Sequence, residues 1–302
     1  MKNEDGVAAV VALMLLLAVI VTFLSLYATT YLPALKQQAE IEQITSVKEA
    51  FMRFDNDMDR VLSEKETTSY GETIRLGGGD ILLNPEKSSG TVSVEDTGEL
   101  FRITVDGSEP VFFNSSTVSF EPSFSYWEKQ GYSWQYGYIN VTKGKKETPL
   151  SYNTMDEVTA SRIPGYAGRL LELSGTAYES NPDYLRNLTV TAVTIERGSA
   201  PGEDRYETSG NGACVLRINA SVNITSYQDT RSLAVTIADS PLHPGLAEYS
   251  NHQMNVLASR YSVHLSHPLP VDDHTRTLIV NSNLLYPVTV TVKTVTIAVY
   301  VR

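Results

Sequence analysis

Residues 7–27 read VAAVVALMLLLAVIVTFLSLY, and this stretch decides the fold of the chain. No side chain from Gly6 to Leu35 is charged. An α-helix over residues 7–27 would be about 31 Å long, which matches a bilayer hydrocarbon core of about 30 Å. A buried core helix would need apolar protein all around it, and nothing downstream is hydrophobic enough to supply that cover. The stretch therefore predicts a membrane-spanning helix.

A cleaved secretory signal is the main alternative for this stretch. Such a signal begins with basic residues, has a shorter apolar region and ends at a small-residue site of the A-x-A kind. The chain begins MKNEDG, which is more acidic than basic, and no such site follows the apolar run. The sequence therefore favours a segment that stays in the mature protein. Lys2 and Lys36 flank it evenly, so the positive-inside rule gives little guidance on orientation.

The composition indicates a folded, acidic protein beyond the apolar helix. The chain has 302 residues, of which 42% are apolar and 20% are charged, a balance typical of globular proteins. It carries 24 basic and 35 acidic side chains, for a net charge of -11, and its longest basic run is Lys145-Lys146. This charge argues against a nucleic-acid partner. The single cysteine, Cys214, excludes an internal disulfide framework and a multi-cysteine metal site.

A helical apolar stripe continues beyond the membrane segment. Its members recur at spacings of three and four residues: Ile44, Val47, Phe51, Phe54, Met58 and Val61. Charged residues are assigned to the other faces: Glu40, Glu42, Lys48, Glu49, Asp55, Asp57 and Asp59. The pattern predicts one helix from Val7 to about Glu64, roughly 87 Å long, with a kink near Pro33 because proline removes a backbone donor. Its second half would be a stalk whose stripe is buried under a head or against neighbouring subunits.

The period of the apolar residues changes from helical to alternating after residue 64. Strand-like alternation occurs in Val92 and Val94; in Phe101, Ile103 and Val105; in Leu216, Ile218, Ala220, Val222 and Ile224; in Leu233, Val235 and Ile237; and in Val288, Val290 and Val292, followed in the opposite phase by Val295, Ile297, Val299 and Val301. The regular spacing predicts an α+β fold, with a long N-terminal transmembrane and stalk helix followed by a mainly antiparallel β-sandwich-like extracellular region. We divide the chain into residues 1–6, 7–64, 65–160 and 161–302.

Local signals add detail to the β-rich region. Turns are predicted at Gly77-Gly78-Gly79-Asp80 and at Asp106-Gly107, and the first lacks the lysine of a phosphate-binding loop. The phase change at Lys293-Thr294 predicts a β-bulge. One further helix is expected between Pro244 and Ser262, and residues 198–212 are expected to form a polar loop.

Residues 126–138 (YWEKQGYSWQYGY) contain both tryptophans and four tyrosines. Alternation predicts that Tyr132, Trp134, Tyr136 and Tyr138 line one face of a strand. Such a face can bind sugar rings, but it is more typical of a protein core or a subunit interface. We therefore favour a core or interface role over carbohydrate binding.

The titratable side chains form no recognisable catalytic motif. All five histidines fall between His243 and His274, and the compact cluster comprises His264, His267, Asp272, Asp273 and His274. Prolines interrupt any helix that would align its imidazoles, so the spacing does not build a zinc site. No G-x-S-x-G motif occurs, and Cys214 is expected to be a small buried residue rather than a nucleophile. We expect no enzyme activity, no cofactor and no metal.

Five N-x-S/T sequons are candidate N-glycosylation sites. They lie at Asn114, Asn140, Asn187, Asn219 and Asn223. Their excess over chance is mild, and they can be used only if the β-rich region faces the exterior. They give modest support to an extracellular location.

The residues before the apolar helix resemble those of a known family. Glu4-Asp5-Gly6 places two charged residues and a small one directly ahead of the helix, and Gly6–Leu15 follows the layout of the segment A-V-S-P-V-I-G-V-I-L, with alanines in place of its serine, proline and glycine. This arrangement resembles the class III (prepilin-type) signal peptide of archaeal type IV pilin-like and archaellin-like proteins. Val11 stands where many bacterial pilins carry a glutamate, which favours the archaeal interpretation.

The resemblance implies cleavage by a prepilin-type peptidase between Gly6 and Val7. It implies a single-pass membrane protein at the cell surface, with its amino end in the cytoplasm and its bulk outside. The implied partners are the lipid bilayer, the peptidase, and like or related pilin subunits that contact the N-terminal helix, with no nucleic acid. We expect a subunit, and because the head is large a minor one, of a type IV pilus-like filament or adhesion structure. Two alternatives stay open: a single-pass envelope protein that does not polymerise, and a membrane-tethered metal-binding hydrolase or binding protein.

Overall fold

A computed structural model describes residues 4–78, 87–199, 206–261, 263–266, 275–280 and 285–302. Helix accounts for 34% and strand for 47%, which confirms the predicted α+β class. A long N-terminal helix precedes two mainly antiparallel sheets. The predicted turn at Gly77–Asp80 lies partly outside the described residues, and His267, Asp272, Asp273 and His274 lie wholly outside them.

The N-terminal helix is continuous, as predicted. Helix α1 (Glu4–Leu26) leads through a π-helical turn (Tyr27–Tyr31) into helix α2 (Leu32–Glu64). Its span from Ala8 to Glu64 covers 57 residues, or about 86 Å. The helix ends where Lys65 adopts a left-handed conformation (φ 51°) and donates its N–H to the carbonyl of Val61.

The π-helical turn is the local consequence of the proline near the membrane segment. Pro33 lies in the first turn of α2 and has no N–H to donate to the preceding turn. The backbone widens just before it, and the N–H of Leu32 donates to the carbonyl of Tyr27. The hydroxyl of Thr29 donates to the carbonyl of Ser25 at 2.7 Å. The irregularity predicted at Pro33 is therefore a widened turn in an otherwise unbroken helix.

The head consists of fourteen strands within the described residues: β1 (Thr68–Arg75), β2 (Ser89–Val105), β3 (Val111–Ser123), β4 (Gln130–Gln135), β5 (Tyr138–Lys143), β6 (Lys146–Pro149), β7 (Leu171–Tyr178), β8 (Asn181–Arg197), β9 (Glu207–Gly210), β10 (Ala213–Tyr227), β11 (Ser232–Ile237), β12 (His264–Ser266), β13 (Thr275–Ile279) and β14 (Thr289–Val301). Its helices are α3 (Met155–Glu157), followed by a π-helical turn (Val158–Arg162), α4 (Ile163–Leu170) and α5 (His243–Arg260). The helix predicted between Pro244 and Ser262 corresponds to α5.

Two sheets form the body of the head. The first has the order β1-β10-β14-β8-β7, and the second β12-β13-β11-β2-β3-β4-β5-β6, with β9 paired to β2. All pairs are antiparallel except β8 with β14. The sheets contact each other through β3 with β8 and β2 with β14. Both sheets take strands from residues 65–160 and from residues 161–302, so the predicted division at 160/161 runs through both of them.

Strand β14 corrects the predicted β-bulge at Lys293-Thr294. The register with β10 and with β8 is uninterrupted across these two residues. What changes is the buried face, because Val290 and Val292 are buried on one side and Val295 and Ile297 on the other. A strand covered on opposite faces along its length gives the same sequence pattern as a bulge.

The aromatic segment forms a hairpin rather than a single strand. Tyr132 and Trp134 lie on β4, Tyr138 begins β5, and Tyr136-Gly137 forms the turn with φ of 52° and 76°. A Cβ at Gly137 would lie 2.4 Å from the ring of Tyr166, so the turn also needs glycine for close packing. All four predicted aromatic residues are no more than 8% exposed. The expected core role is confirmed, although the single-strand prediction is wrong.

Other turn and loop predictions had mixed outcomes. Asp106 and Gly107 form the expected turn, both with positive φ, and the Asp106 carboxylate accepts the backbone N–H of Arg231 at 2.8 Å and of Ser232 at 2.7 Å. The predicted loop over residues 198–212 instead contains strand β9, which pairs with β2. Alternation failed to find β9 because its four residues, ETSG, include no apolar side chain.

Candidate functional site

The first half of the long helix presents apolar side chains on every face. Each described side chain from Ala8 to Leu26 is exposed, including Met14 at 67% and Phe23 at 70%. Among the described residues, this helix is the one long and apolar enough to cross a membrane. Gly6 and Val7, the predicted cleavage residues, lie within its first turns. The length and uniform apolarity of this half suit a lipid environment.

The second half of the helix is docked into the head along the predicted stripe. The stripe residues Ile44, Val47, Phe51, Phe54, Met58 and Val61 are at most 6% exposed. The ring of Phe54 meets Trp134 edge-on at 5.4 Å between centroids, and Phe51 lies 6.0 Å from Tyr132. Helix α2 contacts β1 on the first sheet and β4 and β5 on the second. The stripe prediction is confirmed, and its partner is the chain's own head.

Glu40 corrects the expectation that the charged residues of α2 lie on solvated faces. This carboxylate is 3% exposed and accepts the backbone N–H groups of Ser125 at 3.0 Å and Tyr126 at 2.9 Å. One turn later, Gln43 donates to the carbonyl of Leu76 and accepts the hydroxyl of Ser88, both at 2.6 Å. These polar contacts attach the start of β2 and the loop after β3 to the stalk. A buried carboxylate is tolerated there because backbone donors satisfy it.

A second polar cluster joins the far part of α2 to the head. Arg162 donates to both carboxylate oxygens of Asp59 at 2.8 Å, and Arg169 lies 3.0 Å from the same carboxylate. Asp55 accepts the indole N–H of Trp134 at 2.7 Å and lies 3.7 Å from Arg162. Burial raises the pKa of Asp55, against the lowering effect of the Trp134 hydrogen bond. Asp55 and Asp59 were expected on a solvated face and instead link α2 to α4 and β4.

The contacts along α2 define two ends of the head. Gln43 contacts Leu76 just after β1, while Arg60 lies over the ring of Tyr70 near the start of β1. Strand β1 therefore runs back along α2 toward the membrane helix. We call the end near Glu40 and Gln43 the proximal end, and the end near Lys65, which contacts Glu172 at 2.7 Å, the distal end.

The described part of the histidine region forms no metal-binding cluster. His264 is exposed on β12 and His252 is exposed on α5. The other residues of the predicted cluster lie outside the described residues, and so does the His243 side chain. Within the described ranges, no group of three or more histidine, cysteine or acidic side chains is arranged to hold a metal ion.

Cys214 occupies the position expected from the sequence. It lies on β10, is 2% exposed, and burial raises the pKa of its thiol to about 11. A thiol with that pKa is almost wholly protonated at neutral pH and is a poor nucleophile. It is a packing residue of the first sheet.

The five sequon asparagines lie in different environments. Asn219 and Asn223 are exposed on β10, whereas Asn114 on β3 and Asn187 on β8 are half-buried. Asn140 on β5 is only 6% exposed. An oligosaccharide needs an accessible side-chain nitrogen, and that of Asn219 donates to the Tyr300 hydroxyl at 3.0 Å, so the folded head presents Asn223 most openly.

A groove of about 480 Å³ lies between β7 and α5. It is lined by residues that include Gly175, Tyr249, Gln253, Leu257 and Arg260. A Cβ at Gly175 would lie 3.0 Å or less from Leu185, Leu257 and Tyr261, so glycine here serves close helix–sheet packing. Among the described residues, its lining contains no acidic side chain; it also includes one serine, Ser174, and one histidine, His252.

Sequence reasoning missed the polar residues that fix the helix to the head. Glu40, Asp55 and Asp59 look like ordinary surface charges in a helical pattern, and their partners Ser125, Tyr126 and Arg162 are about 80 to 100 residues away. The one available signal was that Asp55 and Asp59 lie between successive stripe positions, whereas Glu40 precedes the stripe. Comparison of the chain with protein-family models, with curated proteins and with solved structures finds no match.

Proposed function

We propose that this chain is a pilin-like cell-surface protein that is inserted in the membrane through α1 and assembles with like or related subunits. The observation that carries the proposal is the division of one continuous helix. Its first half exposes apolar side chains all around, and its second half is buried under a β-rich head. This arrangement supports two environments for the first half of the helix. It would be inserted in the lipid bilayer before assembly and would pack against the helices of other subunits afterwards. The motif at Glu4-Asp5-Gly6 supports cleavage between Gly6 and Val7 and, with it, a head that lies outside the cell.

The mass of the mature amino terminus tests this proposal most directly. A prepilin-type peptidase needs a small residue at the cut, so Gly6→Trp should block cleavage by bulk. The wild-type chain should begin at Val7, and Gly6→Trp should keep its full mass. Gly6→Ala is the matched control and should still be cut. A wild-type chain that keeps residues 1–6, or that is cut after the apolar run, would contradict the proposal.

Assembly is tested by cross-linking through α1. The one native thiol is buried, so Cys214→Ser supplies a background without cysteine. Single cysteines at Leu13, Leu16 or Leu17 should then form dimers and higher oligomers in membranes or in sheared filaments. A cysteine at the exposed Met52 of α2 serves as the control outside the apolar half. Monomers at every position would favour the alternative of a single-pass envelope protein that does not polymerise.

The described residues supply no geometry that favours the alternative of a membrane-tethered hydrolase or binding protein. Among the described residues, the groove between β7 and α5 is lined by no acidic side chain, and His252 and His264 are exposed. Metal analysis of the purified protein tests it. One tightly bound metal per chain, lost on replacing His264 and His267 by alanine, would overturn our prediction of no enzyme activity.

A further inference from the structure

The loop between β3 and β4 presents two aromatic side chains at the proximal end of the head. We call residues Phe124–Lys129 the proximal loop. Tyr126 and Trp127 are each 37% exposed, whereas Phe124 is 5% exposed and anchors the loop in the core. Strand β3 ends at Ser123 opposite Ser89, the first residue of β2, and this edge of the sheet lies near Gln43 of α2. The two aromatic residues are therefore on the side of the head that faces the membrane helix.

The proximal loop is attached to the stalk through its backbone. The two oxygens of the buried Glu40 carboxylate accept the backbone N–H groups of Ser125 and Tyr126. At the other end of the loop, Glu128 pairs with Lys143 on β5 at 3.2 Å. The position of Trp127 along the helix axis is therefore fixed close to that of residue 40.

The length of the uncharged helix brings this loop close to the membrane surface. Residues 8–35 carry no charge and span about 42 Å, which equals a bilayer with its headgroup layers. Glu40 follows Leu35 by one and a half turns, or about 7.5 Å. Transmembrane helices tilt by about 20° on average, and a tilt toward the loop would lower the head on that side. The π-helical turn at Tyr27–Tyr31 lies in the last third of this uncharged segment and gives the helix a place at which to adjust to such a tilt.

The side chains of Tyr126 and Trp127 are of the kinds that favour the lipid headgroup layer over bulk water. Tyrosine and tryptophan combine an apolar ring with a polar hydroxyl or N–H and concentrate at membrane–water interfaces. Tyr27 and Tyr31 lie on the uncharged helix toward the same end. A loop that carries Tyr-Trp, fixed about 7.5 Å beyond the uncharged helix, continues the same aromatic belt from the head.

We propose that Tyr126 and Trp127 seat the head of the unassembled chain on the lipid headgroup layer, as a second membrane contact beside α1. The proposal rests on the membrane insertion of α1 within the proposed function, but not on polymerisation. Seating would hold α2 at a defined angle to the bilayer before the subunit is taken up into a filament. In a filament the loop leaves the lipid, so the contact is specific to the stored subunit.

Tryptophan fluorescence tests the proposal in the full-length chain. The chain has two tryptophans, and Trp134 is fully buried, so lipid-accessible emission reports on Trp127. The chain is reconstituted at one copy per vesicle or nanodisc in phosphatidylcholine brominated near the headgroup, near the bilayer centre, or not at all. Bromine near the headgroup should lower the Trp127 emission at least twofold, and central bromine should lower it less. Trp127→Phe should abolish the headgroup-dependent quenching.

A displaced tryptophan provides the matched control. Phe112, near the start of β3 and therefore toward the distal end, is 49% exposed. Phe112→Trp combined with Trp127→Phe should give an exposed indole that bromolipids do not quench. Equal Trp127 emission in brominated and plain lipid, with the chain still resistant to alkaline extraction, would overturn the seating proposal and leave the proposed function intact. Loss of the chain on alkaline extraction would instead overturn the membrane insertion on which both depend.

Discussion

The two halves of the long helix share one backbone and differ in what covers them. In α1 every described side chain is exposed and almost all of them are apolar, whereas α2 buries a stripe and exposes charged residues between its contacts. A water-soluble protein would not leave so much apolar surface uncovered, because each buried methylene is worth about 0.8 kcal/mol. The difference teaches that α2 packs within the chain, whereas the apolar faces of α1 stay uncovered over a length sufficient to cross a membrane.

The first prediction breaks the contact of α2 with the head. Phe51→Asp removes a fully buried ring and places a charge beside Tyr132. We expect the free energy of unfolding to fall by more than about 4 kcal/mol, because the cost of losing the buried ring adds to the cost of burying an unpaired charge. The neighbouring Met52 is 44% exposed, so Met52→Asp should change stability by less than about 0.5 kcal/mol. Thermal unfolding of both variants in detergent measures the difference, and equal melting temperatures would contradict the docking.

The second prediction changes α1 and leaves the head alone. Leu16→Lys places a charge in the middle of the apolar segment, which costs about 2.5–3.5 kcal/mol in membrane insertion. Alkaline extraction should therefore release a larger fraction of the chain than of wild type, while the head in detergent keeps its melting temperature. Leu16→Ala is the control and should remain inserted. A lower melting temperature with Leu16→Lys would show that α1 supports the head directly.

The apolar features of the helix and of the strands could be predicted from the sequence. Uninterrupted apolarity over residues 7–27 and the spacing of Val47, Phe51 and Phe54 each have one simple explanation, and the continuous helix and the buried stripe are confirmed. The alternation of β11 was equally unambiguous, because Leu233, Val235 and Ile237 are all buried on one face. Local periodicity fixes an element and its buried face when a single layer covers it.

The polar contacts between α2 and the head could not be predicted in the same way. Glu40 and Asp55 depend on partners that only the tertiary fold brings near, and a helical pattern assigns both to the surface. The phase change in β14 was misinterpreted for a related reason, since the face that is covered changes along the strand. The short strand β9 carries no apolar residue and is defined by pairing with β2 alone. In each case the structure depends on a contact between residues that are distant in sequence, and such a contact produces no periodic pattern in the sequence.

The third prediction tests the proximal attachment of α2. Glu40→Ala leaves the N–H groups of Ser125 and Tyr126 without their acceptor and should cost about 2–3 kcal/mol of unfolding free energy. Amide hydrogen exchange at these two residues should accelerate at least tenfold, which separates a local loss from global unfolding. Glu42, on an exposed face of the same helix turn, is the matched control. If Glu40→Ala and Glu42→Ala unfold alike, the buried carboxylate does not hold the proximal loop.

The smallest expected effect comes from the distal attachment and depends on pH. Burial raises the pKa of Asp55 above its ordinary value of 3.8, so the folded state binds the proton more tightly than the unfolded state. The contribution of Asp55 to the free energy of unfolding is therefore highest below pH 3.8 and declines as the pH rises through the pKa of the folded state. A carboxylate with a lowered pKa would show the opposite pH dependence.

Asp55→Asn keeps an oxygen that can accept the Trp134 N–H and removes the charge. Its melting temperature relative to wild type should rise between about pH 4 and neutrality. Asp59→Asn loses the paired contact with Arg162 and should be destabilising at neutral pH, so the two aspartates should respond with opposite sign. A relative melting temperature of Asp55→Asn that falls as the pH rises would mean that Arg162 outweighs burial at this carboxylate.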